Sequence, residues 1–155
     1  MKLATNFSLD EFLVSKTAEE RGIENAPNAD EIERLRRVAG RLQELRDFLA
    51  DALKGEVKIR ITSGFRSAAL NTAVGGVSSS SHRKGDAVDF WAEREDGRAV
   101  SPHVLMRTIE LFGRFDQAIF YPGQVRIHVG YGPRERLMLL QKAADGSYPE
   151  YVRPS

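Results

Sequence analysis

Within Ala50-Asp51-Ala52-Leu53-Lys54-Gly55-Glu56-Val57-Lys58-Ile59-Arg60-Ile61-Thr62 the chain changes its period. Before this stretch, Ile32, Leu35, Val38, Ala39, Leu42, Leu45, Phe48 and Leu49 recur at steps of three and four. That spacing predicts one helix from about Ala29 to Leu53 with a single apolar stripe, closed by Gly55. After Gly55, apolar and polar residues alternate from Val57 to Thr62, the pattern of a half-buried strand. Helical periodicity first and strand periodicity afterwards predict an α+β fold.

Outward from this switch the punctuation is readable. On the N-terminal side, Ser8-Leu9-Asp10-Glu11 forms a capping-box pattern that opens a short helix carrying Leu9, Phe12 and Leu13. A polar stretch with Gly22 and the turn-rich Asn25-Ala26-Pro27-Asn28 leads into the long helix. On the C-terminal side, Ser63-Gly64-Phe65-Arg66 turns the chain and Ser67 caps a short helix over 68–73. A loop of small residues, 75–81, precedes a strand at Ala87–Trp91. Ser101-Pro102 opens a helix to about Phe112, with Pro at its first position. Phe115–Tyr121 and Val125–Tyr131 flank Pro122-Gly123 as a hairpin, and Leu137–Leu140 form a last strand. No repeat or linker divides the chain. Residues 1–155 are read as a single domain, with a helical part over 6–54, a core over 56–140 and a loosely held tail over 145–155.

Composition narrows the chemistry. The 155 residues are 41% hydrophobic and 29% charged, enough to fill a core. Lys+Arg 23 against Asp+Glu 22 leaves a net charge of +1, so no global field attracts a nucleic acid. No apolar run approaches the ~18 residues of a membrane span, and Met1–Asn6 lacks the apolar core of a signal peptide. The expectation is a monomer made in the cytoplasm, with neither nucleic-acid nor membrane partners. Without cysteine there are no disulfides, Cys-ligated zinc, iron–sulfur clusters or thiol catalysis. His, carboxylates, hydroxyls and amides must supply any reactivity.

Two histidines stand in informative places. His82-Arg83-Lys84-Gly85-Asp86-Ala87-Val88-Asp89 has the form H-x-x-G-x-x-x-D, and a bend at Gly85 lets His82 and Asp89 converge. Such a pair suits a divalent cation such as zinc, or makes one hydrogen bond and nothing more. In Val125–Tyr131 the odd positions form an apolar face, which turns Arg126, His128 and Gly130 the other way. His128 is therefore a third ligand or a solvated side chain. With a two- or four-residue loop around Pro122-Gly123, Gln117 lies opposite His128, in reach of ligands or substrate, or is an ordinary strand residue. Three protein ligands leave a fourth position open, as in catalytic zinc sites. Amide hydrolysis suits such a site, and Arg66 is the leading donor for the oxyanion unless it is a surface residue. Ser80 either donates to a substrate carboxylate or belongs to a flexible loop. His103 reads as surface, and Phe90 and Trp91 as core.

Together these segments resemble peptidase family M15. The match is carried by Ser63-Gly64-Phe65-Arg66-Ser67, Leu70-Asn71, Val74-Gly75-Gly76 and Ser80-Ser81-His82-Arg83-Lys84-Gly85-Asp86-Ala87-Val88-Asp89. Asn6–Phe12, Arg21–Pro27 and Phe115–Ile119 extend it to about residues 6–140 and are similar to the phage and prophage branch. These relatives are zinc D-Ala-D-Ala carboxypeptidases and peptidoglycan endopeptidases. The resemblance implies a Hedgehog/DD-peptidase-like fold, a small antiparallel sheet with helices on one side. It implies Zn2+ held by His82, Asp89 and His128, Arg66 stabilising the transition state, and Ser80 near the substrate's terminal carboxylate. The implied partner is the peptidoglycan stem peptide. The implied setting is a lysis enzyme, an endolysin released to the cell wall by a holin. The alternative is a non-hydrolytic cell-wall-binding or virion-assembly protein on the same scaffold. One departure bears on this choice: the positions where relatives carry an acidic general base hold Val125, Gly130 and Tyr121. Asp86, Glu93 and Asp116 are acids available in their place, and Arg126 stands where an aromatic is common.

Overall fold

A computed structural model describes residues 1–155. Along the chain run β1 (Lys2–Ala4), β2 (Phe7–Ser8), α1 (Lys16–Arg21), α2 (Ala29–Leu53), β3 (Val57–Ser63), α3 (Ala68–Ala73), β4 (Ala87–Arg94), α4 (Pro102–Phe112), β5 (Gln117–Phe120), β6 (Ile127–Gly130) and β7 (Met138–Gln141). Two 3-10 turns, Leu9–Phe12 and Ser81–Lys84, complete the order.

Helix α2 starts on a reciprocal cap. The Glu31 N–H donates to Asn28 Oδ1 at 2.8 Å and the Asn28 N–H donates to Glu31 Oε1 at 2.9 Å. Its left-handed terminal residue is Lys54, at φ 53°, one position before the expected Gly55. Leu35, Val38, Ala39, Leu42, Leu45 and Leu49 are buried. Phe48, read as part of the stripe, lies at its margin, 40% exposed with its ring edge-on to Phe112 at 5.4 Å.

The main sheet has the order β3-β4-β6-β5-β7, beside a small β1-β2 pair. The class is α+β as read. Every pairing is antiparallel except β5 with β7, which is parallel and makes the main sheet mixed. The physical reason is short: residues 131–137 cross the start of β5, so β7 enters beside Gln117 running in the same direction. Helix α2 packs on β3 and β4, and α4 on β5 and β6. Val57, Ile59, Val88, Phe90, Ala118, Ile127 and Val129 face them and fill the core. The opposite face of the sheet is left for Asp89, Trp91 and His128, so Trp91 is not a core residue as expected, while Phe90 is.

Several further readings are corrected. β1, β2 and α1 lie where only a loop or polar stretch is legible, because two- to six-residue elements show no period. The 115–121/125–131 hairpin pairs only 117–120 with 127–130, and its loop is six residues, 121–126. Its register puts Ile119, not Gln117, opposite His128, while Gln117 pairs with Gly130. The tail is docked: the Tyr151 N–H donates to the Leu139 carbonyl at 2.9 Å, and the Tyr151 ring is buried against Phe120 and His103. It thereby covers the exposed edge of β7. His103, expected on the surface, is half-buried there with Nδ1 2.5 Å from the Tyr151 hydroxyl.

Gly64 ties the first turn to the sheet. Phe65 N–H donates to the Phe12 carbonyl at 2.8 Å, and a Cβ on Gly64 would stand 2.5 Å from that oxygen and 2.8 Å from Phe12 Cα. Backbone cannot yield as a side-chain tip can. Gly64→Ala is expected to lower stability by about 1–3 kcal/mol, the usual cost of overpacking. Thermal melting beside the parent protein checks it.

Candidate metal centre

The free face of the sheet carries a row set by strand pairing: Ser63 opposite Asp89, and Asp89 opposite His128. Register alone therefore places the Asp89 carboxylate beside the His128 ring. His82 arrives from the 3-10 turn, whose end at Gly85 adopts φ 79°. A Cβ on Gly85 would also meet the Glu31 carbonyl at 2.9 Å, so glycine is required there on two counts.

The three side chains meet. His82 Nε2 lies 3.3 Å from Asp89 Oδ1, and His128 Nδ1 lies 2.8 Å from the same oxygen. The two imidazoles cross edge-on at 5.0 Å between centroids. One donor atom from each residue fits within a 4.8 Å cluster. Ligands at tetrahedral angles around zinc stand about 3.3 Å apart, given metal–ligand bonds of about 2.0–2.2 Å. The donor set and its spacing fit that ion.

The surroundings also fit. His82 Nδ1 lies 2.7 Å from the Gly64 carbonyl, which can only accept, so Nδ1 carries the proton and Nε2 presents its lone pair to the cluster. Burial opposes ionisation of Asp89, but the His128 and His82 rings beside it outweigh burial and hold the carboxyl far below the usual range. Burial pushes His128 down, against the pull of Asp89, and the neighbouring Arg66 guanidinium adds to the lowering. A neutral imidazole beside an ionised carboxylate is the state a divalent cation needs.

Arg66 stands on the β3 side of this row. Its backbone N–H donates to the His82 carbonyl at 3.0 Å, its Nε to Ser63 Oγ at 3.4 Å and its Nη1 to Asn71 Oδ1 at 3.5 Å. These long side-chain bonds aim the guanidinium without using up its donors. Two amides escaped the sequence reading. Asn25 Nδ2 donates to the Leu13 and Phe65 carbonyls at 3.0 and 2.9 Å while its Oδ1 accepts from the Ser67 N–H at 2.7 Å, so it clasps the turn bearing Arg66. Asn71, buried, donates to the Val77 carbonyl at 2.8 Å and so links Arg66 to the small-residue loop. An asparagine inside a helix is a poor helix former, and that was the available signal.

The remaining candidates divide. Ser80 sits half-buried two residues before His82, and its hydroxyl does not cap the turn that follows. Gln117 shares the His128 face but stands diagonally from it, with Nε2 3.8 Å from Met138 Sδ. The three spare acids are each committed to an arginine. Asp86 is 2.8 Å from Arg37, Glu93 2.6 Å from Arg60, and Asp116 holds Arg136 through two bonds at 2.5 and 2.9 Å. Tyr121, at one of the acid positions, has its hydroxyl pushed above the ordinary tyrosine range by burial and by the charge of Asp89. It stays protonated at neutral pH.

A family model described as Peptidase M15 matches residues 5–128, a span that contains all three members of the cluster and Arg66. The chain belongs to the peptidase M15 family. In sequence comparison no curated protein matches it. Membership of M15 supports metallopeptidase chemistry on peptidoglycan-like substrates, and the His82–Asp89–His128 cluster is where this M15 chain could hold the metal.

Proposed function

We propose that this M15 protein hydrolyses an amide bond in the peptidoglycan stem peptide, as a D-Ala-D-Ala carboxypeptidase or endopeptidase of the phage lysis type. The observation that carries this reading is the convergence of His82, Asp89 and His128 on one point of the free sheet face, with Arg66 beside it. His82, Asp89 and His128 would hold the zinc. A zinc ion bound by three protein ligands polarises a carbonyl and lowers the pKa of water toward about 7.

The chain's own groups do the rest. Arg66, held by Ser63 and Asn71, donates to the oxygen of the scissile carbonyl, where negative charge develops. Gly64 fixes the His82 tautomer through its carbonyl. Ser80 offers its hydroxyl to the terminal carboxylate of the peptide. An open cleft of about 480 Å³ between Asn71, the Gly75-Gly76 turn, Ser78 and Arg83 gives the peptide a place next to Asn71, which accepts from Arg66.

One observation favours a second reading, a non-hydrolytic cell-wall-binding or assembly protein that keeps the zinc. Asp86, Glu93 and Asp116, the acids the sequence offers as a general base, are all paired with arginines. Such bases contribute about 10²–10⁴-fold to a rate. Synthetic stem peptides incubated with zinc-loaded protein and resolved by mass spectrometry decide between the readings. Release of the terminal D-Ala, or of an internal fragment, is expected. Intact peptide with one zinc bound per chain would support the second reading.

A further inference from the structure

The site has a second arginine that the reaction as described does not use. Arg126 lies two residues before His128, on the same face of the hairpin, and on the opposite flank of the cluster from Arg66. Its guanidinium carbon Cζ stands over the Tyr121 ring, 4.0 Å from the centroid. The aromatic face holds the cation there by attraction to the ring. Its nearest acid is Asp89, and Nη1 stands 3.7 Å from Asp89 Oδ2, longer than a hydrogen bond. The side chain is 31% exposed, so one edge is open to a ligand.

Charge gives this arrangement its meaning. The one ion pair of Arg126 is with Asp89, which is also the carboxylate that would engage a cation. Once Asp89 serves a metal, Arg126 has no counter-ion within the site. A planar guanidinium with five donors, partly exposed, selects a carboxylate over its uncharged amide. We infer that Arg126 is a specificity residue that recognises a free carboxylate on the peptide, on the side of the scissile bond away from Arg66. The preferred substrate class is thus an acidic peptide rather than its amidated form. This inference rests on the hydrolase reading above for its rate measurement, and a binding measurement tests it independently.

The test compares two synthetic stem peptides that differ only at their acidic residue, a free carboxylate in one and a carboxamide in the other. The zinc-loaded parent is expected to prefer the carboxylate form by about 10- to 100-fold in kcat/KM, the scale of a charge-assisted hydrogen bond. Arg126→Gln is expected to bring that ratio close to one with zinc content unchanged, and Arg126→Lys to keep part of it. The chain's single tryptophan, Trp91, shares the face of Asp89 two residues along β4 and reports peptide binding by its fluorescence. The same preference, lost in Arg126→Gln, is expected in that titration. Equal treatment of the two peptides by the parent, or a preference that survives Arg126→Gln, overturns the inference while leaving the hydrolase reading standing. If the parent cleaves neither peptide, the hydrolase reading fails, and the fluorescence titration alone decides the role of Arg126.

Discussion

Replacement of Asp89 by alanine is expected to abolish zinc-dependent stabilisation of the fold. Both histidines of the cluster meet the same Asp89 oxygen, at 3.3 and 2.8 Å, so its loss removes a ligand and the group that aligns the other two. Removing residues that merely support a ligand typically costs 10–100-fold in metal affinity, and loss of the ligand itself should exceed about 10²-fold. A metal that binds only the native state stabilises it by about 2.7 kcal/mol at a hundredfold excess over Kd. For a chain of this length that is a rise in melting temperature of about 5–11 °C, at roughly 2–4 °C per kcal/mol. Scanning calorimetry with and without zinc is expected to show this rise for the parent and none for Asp89→Ala. A parent that does not respond to zinc would reduce the cluster to a hydrogen-bonded trio.

The second large effect belongs to Arg66. Its donors are aimed by Ser63 and Asn71 through bonds of 3.4 and 3.5 Å, long enough to be exchanged for a substrate oxygen. A donor that acts on charge developing only in the transition state is worth about 10²–10³-fold in kcat. Arg66→Ala is expected to lose that factor in kcat, with KM changing far less and zinc content unchanged. The split between kcat and KM separates this role from a collapse of the turn, which would lower zinc retention as well, because the Arg66 N–H also holds the His82 carbonyl. Arg66→Lys, with a point charge in place of a planar fork, is expected to recover only a small part.

The site was legible wherever a local period or a bend decides which way a side chain faces. Alternation in Val125–Tyr131 put His128 off the core, and a single glycine, Gly85, allowed His82 to fold back towards Asp89. Register was not legible. Whether Gln117 or Ile119 faces His128 depends on the hairpin loop having six residues, and Pro122-Gly123 marks a turn without setting its length. The supporting amides were hidden for a different reason. Asn25 and Asn71 act through carbonyls and N–H groups up to 42 residues away in sequence, and asparagine in a turn or short helix reads as local punctuation. The docking of the tail rests in the same way on Tyr151 meeting His103 across 48 residues. The commitment of Asp86, Glu93 and Asp116 to arginines is likewise a tertiary fact, with partners 20 to 49 positions distant.

The central claim is that His82, Asp89 and His128 form a zinc centre that cuts the stem peptide. Its most direct test is mass spectrometry of the muropeptides left after intact peptidoglycan is incubated with the zinc-loaded protein, beside the His82→Ala variant. Loss of a terminal D-Ala or opening of cross-links with the parent alone is the predicted result. Unaltered muropeptides from a parent that carries one zinc per chain would contradict it.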